Sequence, residues 1–161
     1  AHGQQSLSFT TTHSDRTHTH RISDMRIDYS KPWVMQHKRA IISAYRTSAY
    51  FEYYQDELFA ILDSKPERLI DLNTRLLEFF LEKTGIKAEI RMTESYDTAP
   101  ECEDLREIIH PKRPDRILEN LELKKPYFQV FAEKHGFISD LSIMDLLFNE
   151  GPDSIIYLKN I

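Results

Sequence analysis

Apolar positions along the chain recur with two periods, and the change from one to the other marks the elements. Between Ser6 and Thr10, Leu7 and Phe9 alternate with polar residues, the period of a half-buried strand. After a polar connection from His13 to Thr19, Met25, Ile27 and Tyr29 alternate again, with Ile22 out of phase. One extra residue near Ser23 or Asp24 restores the register, so a β-bulge is expected there. From Ser30 the period lengthens. Pro32 suits a helix start because the first turn has no partner for the N–H that proline lacks. Trp33, His37, Ile41 and Ala44 then share one face of a helix from Pro32 to about Arg46. A second helix, from about Ser48 to Leu62, turns Phe51, Tyr54, Leu58 and Ile61 or Leu62 inward and stops at Asp63-Ser64.

Ser64-Lys65-Pro66-Glu67 has the spacing of a capping box, which predicts a third helix over Pro66 to Thr84 with Leu69, Leu72, Leu76 and Phe79 or Phe80 as its stripe. Gly85 fits the left-handed residue just past its end. From Ile86 to Thr93 apolar and polar residues alternate without a break, predicting a strand buried on one side. Glu94 to Glu101 reads as loop, Glu103 to Ile109 as a short helix, and His110 to Pro114 as an extended stretch between prolines. Ser142 caps a further helix, with Asp145 at its third position and Leu141 packing on Leu146 as a staple. Asn149-Glu150-Gly151-Pro152 ends that helix, and a short helix or turn follows over Asp153 to Leu158. The fold class is α+β and mainly helical, about five helices with a small, partly antiparallel sheet. No internal repeat is present.

Length and composition fit that picture. With 161 residues, 40% apolar and 29% charged, the chain is expected to form one domain over residues 1–161. A formal charge of -5 disfavours nucleic acid and anionic membrane surfaces as partners. Cys102 is the one cysteine, so no internal disulfide forms and a reducing, cytoplasmic location is expected. No apolar run approaches the ~20 residues of a membrane-spanning helix, and the opening lacks the pattern of a signal peptide.

Two runs carry a family resemblance. Trp33 with Ser43-Ala44-Tyr45-Arg46-Thr47-Ser48-Ala49-Tyr50-Phe51-Glu52-Tyr53-Tyr54, and Tyr127-Phe128-Gln129-Val130-Phe131 with Leu141-Ser142-Ile143-Met144-Asp145-Leu146-Leu147-Phe148-Asn149-Glu150-Gly151-Pro152, resemble the WbqC-like family. Their order and separation fit as well. The resemblance implies a bacterial protein of surface-polysaccharide and O-antigen loci, a transferase that adds an acyl or aminoacyl group to a nucleotide-activated or lipid-linked amino sugar. It also implies an N-terminal region with an Arg-Asn-Arg element. The chain opens Ala1-His2-Gly3 with neither that element nor a Met, which suggests a shortened member whose first strand has an open edge and whose apolar Leu7, Phe9 and Ile22 favour self-association.

Candidate chemistry centres on the first helix. One reading makes His37 a general base with Tyr45 or Arg46 stabilising negative charge, His37 and Tyr45 being the expected catalytic pair and Trp33, Ser43 and Arg46 the substrate-binding residues for a sugar or acyl donor. The plainer reading makes His37 a core histidine bonded to backbone and Trp33 a packing residue. His18 and His20 with Asp24 lack the spacing of a named metal motif and read as a polar loop, so no metal is expected, and no cofactor. Cys102, between Glu101, Glu103 and Asp104, is a poor nucleophile because the acidic neighbours oppose a thiolate. Tyr50, Phe51, Tyr53 and Tyr54 read as packing before sugar stacking. Arg106, Lys112, Arg113 and Arg116 form a basic patch that reads as a solvated face. The alternative to an enzyme is a non-enzymatic carbohydrate- or protein-interaction module.

Overall fold

The computed structural model describes residues 3–12, 21–96, 98, 101, 104 and 125–158. Among these, helices dominate. The long ones are α1 (Trp33–Tyr45), α2 (Phe51–Asp63) and α3 (Leu69–Thr84), and the C-terminal part holds α4 (Ala132–His135), α5 (Ile143–Glu150) and α6 (Ser154–Leu158). The sheet is one short antiparallel pair, β1 (Thr11–Thr12) and β2 (Arg26–Ile27), with Thr11 opposite Ile27. The architecture is α+β and mainly helical.

The core forms where α1, α2, α3 and α5 pack on one another. Phe148, fully buried, stands edge-on to Phe51 with ring centroids 5.1 Å apart and meets Tyr45 at the same distance. Leu58, Phe59 and Leu62 of α2, Leu72 and Phe79 of α3 and Leu147 of α5 fill the space around it. Each of these residues recurs at helical spacing, and their burial is what holds the four helices. Trp33 anchors the other end of α1. Its ring lies between Phe9, stacked at 4.5 Å, and Tyr29, at 5.5 Å, and its indole N–H donates to the Asp28 carbonyl at 3.1 Å.

Four local expectations are corrected. The strand expected over Ser6 to Thr10 lies at Thr11–Thr12, and Leu7 is 39% exposed. The register change near Ser23 is a turn of 3-10 helix over Ile22–Asp24 and no bulge, which leaves Ile22 exposed. Ser64 caps the C-terminal end of α2: its hydroxyl donates to the Ile61 carbonyl at 2.7 Å, and α3 begins later, at Leu69. There the backbone does the capping, since the Leu69 N–H donates to the Met25 carbonyl and the Ile27 N–H to the Glu67 carbonyl, both at 2.9 Å. The Arg26–Glu67 ion pair lies alongside. Residues 86–93 run as irregular chain with Ile90 and Met92 exposed, and among the described residues no strand lies alongside to offer the partners that alternation alone cannot supply.

Other expectations hold. Gly85 closes α3 at a φ of 73°, and the Ser142 hydroxyl accepts from the Met144 N–H at 3.3 Å at the start of α5. Asp145 does not complete a capping box; its carboxylate turns inward. The helix expected over residues 103–109, apart from Asp104, and the extended stretch 110–114 lie outside the described residues. Among the described residues no helix is long and apolar enough to cross a membrane.

Candidate functional site

A cleft of about 680 Å³ opens where the C-terminal half of α1 faces the segment leading into α5. Ala40, Ser43, Tyr45, Arg46 and Thr47 form one wall; Gln129, Phe131, His135 and Asp140 form the other, and Gln4, Gln5 and Leu7 border the mouth. Its size is that of a small-molecule pocket.

A buried polar cluster supports its floor. Asp145, 5% exposed, accepts from the Tyr127 hydroxyl at 2.7 Å and from Gln129 Nε2 at 3.0 Å, and its carboxylate acts on the neighbouring Tyr45 hydroxyl as well. Gln129, equally buried, uses both ends of its amide. Its Oε1 accepts from the Ile138 N–H at 2.9 Å and its Nε2 donates to the Ile138 carbonyl at 2.8 Å. Helix α5 sets Asp145 in place through its first turn, while residues 127–138 wrap around it. Burial holds the Tyr45 and Tyr127 hydroxyls well above the ordinary tyrosine range, and the neighbouring Asp145 acts in the same direction. Both therefore remain donors at physiological pH.

Of the residues singled out in the sequence, Ser43, Tyr45 and Arg46 come together on this cleft. Trp33 and His37 stand elsewhere. His37 sits on Trp33, ring centroids 5.0 Å apart, and its Nε2 is 3.1 Å from the Ser8 carbonyl, so it ties the N-terminal segment to α1. Cys102, His18, His20, Arg106, Lys112, Arg113 and Arg116 lie outside the described residues.

His135, which ends α4 in the opposite wall, stands isolated in the sequence with no motif around it. Its Nε2 is shielded from solvent and has no hydrogen-bond partner among the described residues. A buried imidazole nitrogen without a partner is uncommon, and this one borders the cleft. Gln129 was equally hidden. Its value rests on Ile138 and Asp145, contacts that only the fold creates. Chemically, the cleft offers a cation in Arg46, hydroxyls in Ser43 and Thr47, an imidazole in His135 and an aromatic edge in Phe131.

Comparison with known proteins adds one positive result. The model of the WbqC-like protein family matches residues 1–119, which include α1 and its part of the cleft wall, while the run from Tyr127 to Pro152 lies beyond the matched stretch. Neither characterised proteins nor solved structures give a match. The family match spans well over half of the sequence, and the chain belongs to the WbqC-like protein family.

Proposed function

We propose that the chain is a transferase of bacterial surface-polysaccharide assembly, adding an acyl or aminoacyl group to an amino sugar in the cleft between α1 and residues 129–145. Family membership supports the polysaccharide context. The observation behind the chemistry is the meeting of Arg46 and Tyr45 with His135 across one cavity. In this reading a sugar ring rests against Phe131, with Ser43 and Thr47 bonding its hydroxyls. His135 takes the proton of the attacking amine as nitrogen joins the acyl carbon, and returns it to the departing donor group. Arg46 stabilises the negative charge that develops on the acyl oxygen. Tyr45, beside Asp145, fixes the shape of the wall.

The test is mass spectrometry of nucleoside-diphosphate amino sugars incubated with the protein and an acyl-coenzyme A, or with an amino acid and ATP. Acylated product is expected, reduced on the order of 100-fold or more by His135→Gln and lowered by Arg46→Ala. Equal product from wild type and both variants would remove these residues from the chemistry. The partly exposed Phe131 ring on the cleft supports a second reading, carbohydrate binding without transfer. A saturable thermal shift with amino sugars and no product in either donor arm would select it.

A further inference from the structure

A second cleft, of about 430 Å³, opens beside α1 on the side away from the first. The two use different stripes of the helix: Ala40 and Ala44 face the first cleft, Met35, Lys38 and Ile42 the second. The wall chemistry of the second is divided. Met35 and Ile42 give it an apolar surface, 46% and 38% exposed. Lys31, Lys38, Arg39 and Lys65 give it four cations. Lys38 is engaged, its ammonium 2.6 Å from Asp63 and 5.0 Å from the centre of the Phe59 ring. Lys31 acts on Asp28, whose carboxyl lies below the usual range chiefly through hydrogen bonds to Ser30, with Lys31 a smaller cause. Four cations thus face two carboxylates, a local positive excess in a chain of net charge -5.

Cations at the rim and apolar side chains beside them fit an anion carried on a hydrocarbon chain. A free sugar would leave the cations without a counter-charge, and a bare phosphate would leave Met35 and Ile42 in water. We propose that this second cleft seats the phosphate headgroup of an anionic lipid at a membrane surface, with the phosphate among Lys31, Arg39 and Lys65 and the first acyl carbons over Met35 and Ile42. The site is independent of the transferase reading and of the first cleft.

Co-sedimentation with vesicles tests it, using phosphatidylcholine alone and phosphatidylcholine containing phosphatidic acid. The chain is expected to pellet only with the second. Each cation removed weakens binding about fivefold, so Lys31→Gln with Arg39→Gln weakens it about 25-fold. Met35→Ser with Ile42→Ser also weakens it. All four positions are exposed, so the variants retain the fold, which far-ultraviolet circular dichroism verifies. Undiminished pelleting of either variant overturns the proposal. So does a chain that ignores both vesicles yet gains thermal stability from inorganic phosphate through Lys31 and Arg39, which makes this a site for free phosphate. A dimer in light scattering that Met35→Ser with Ile42→Ser dissolves, without vesicle binding, overturns it in favour of a second copy.

Discussion

Replacing Gln129 by Glu exchanges one amide for a carboxyl of the same shape in the polar cluster under the cleft, and the outcome follows from which form of that carboxyl costs least. Ionised, it loses the two shorter of its three Nε2 bonds, to Ile138 and Asp145, worth about 2.5–4 kcal/mol together, as well as the longer one to Tyr127. It also meets the Asp145 carboxylate at close range, about 4 kcal/mol at an effective dielectric of 20. Protonated, it keeps one donor and loses one bond, about 1 kcal/mol. Holding that proton against an unfolded value near 4.3 costs about 5 kcal/mol at pH 8 and about 1 kcal/mol at pH 5. Proton uptake is the cheaper route, so the variant should be destabilised by about 6 kcal/mol at pH 8 and about 2 kcal/mol at pH 5. The folded state binds more protons than the unfolded one, so stability falls as pH rises above the unfolded value and levels off only past the raised folded one. Urea denaturation of variant and wild type at both pH values measures the difference, with Gln129→Leu as a control whose penalty is the same at both. A Gln129→Glu penalty equal at pH 5 and pH 8 would mean that the amide does not face Asp145, and the cluster would have to be redrawn.

Other changes probe single contacts. Ser142→Ala removes the hydroxyl that accepts from Met144 and should lower stability by about 1 kcal/mol in thermal or urea unfolding; no change would place the start of α5 elsewhere. Gly151→Ala should destabilise by about 2 kcal/mol or more, because a Cβ there stands 2.5 Å from the Tyr50 ring at a φ of 56°. Pairing it with Tyr50→Ala should recover part of the loss, and failure to recover any would assign the cost to backbone strain alone. His37→Ala should cost stability through its contacts with Trp33 and Ser8 while leaving sugar affinity in titration calorimetry unchanged; lost affinity with an intact fold would bring His37 back to the chemistry.

The helices were legible because their signals are local. Phe51, Leu58 and Leu62 declare a buried stripe by spacing, Gly85 a left-handed cap and Ser142 a helix start. The errors arose where a local pattern needs a distant partner. Ile86 to Thr93 alternates as a strand does, yet a strand exists only when another backbone satisfies its N–H and C=O groups. Ser64 has a capping-box spacing, but the end of α2 claimed its hydroxyl first. The candidate site divides in the same way. Ser43, Tyr45 and Arg46 stand together on one helix turn and could be read as a group, whereas His135 and Gln129 join them only through folding. His37 stood out among apolar neighbours because it packs on Trp33, which is a reason for conspicuousness unrelated to the cleft.

The start of α3 ties helix formation to the N-terminal part of the chain. No side chain caps it; the Leu69 N–H is met by the Met25 carbonyl, and Ile27 returns the bond to Glu67. The first turn of this helix is therefore completed by a segment some forty residues earlier in the chain. In the folded state the same link works in reverse. Opening of the Met25–Ile27 segment uncovers the Leu69 amide to exchange with solvent, so the two stretches lose protection as one cooperative unit. The end of α3 at Gly85 stands outside that unit, leaving a helix whose two ends answer to different parts of the molecule.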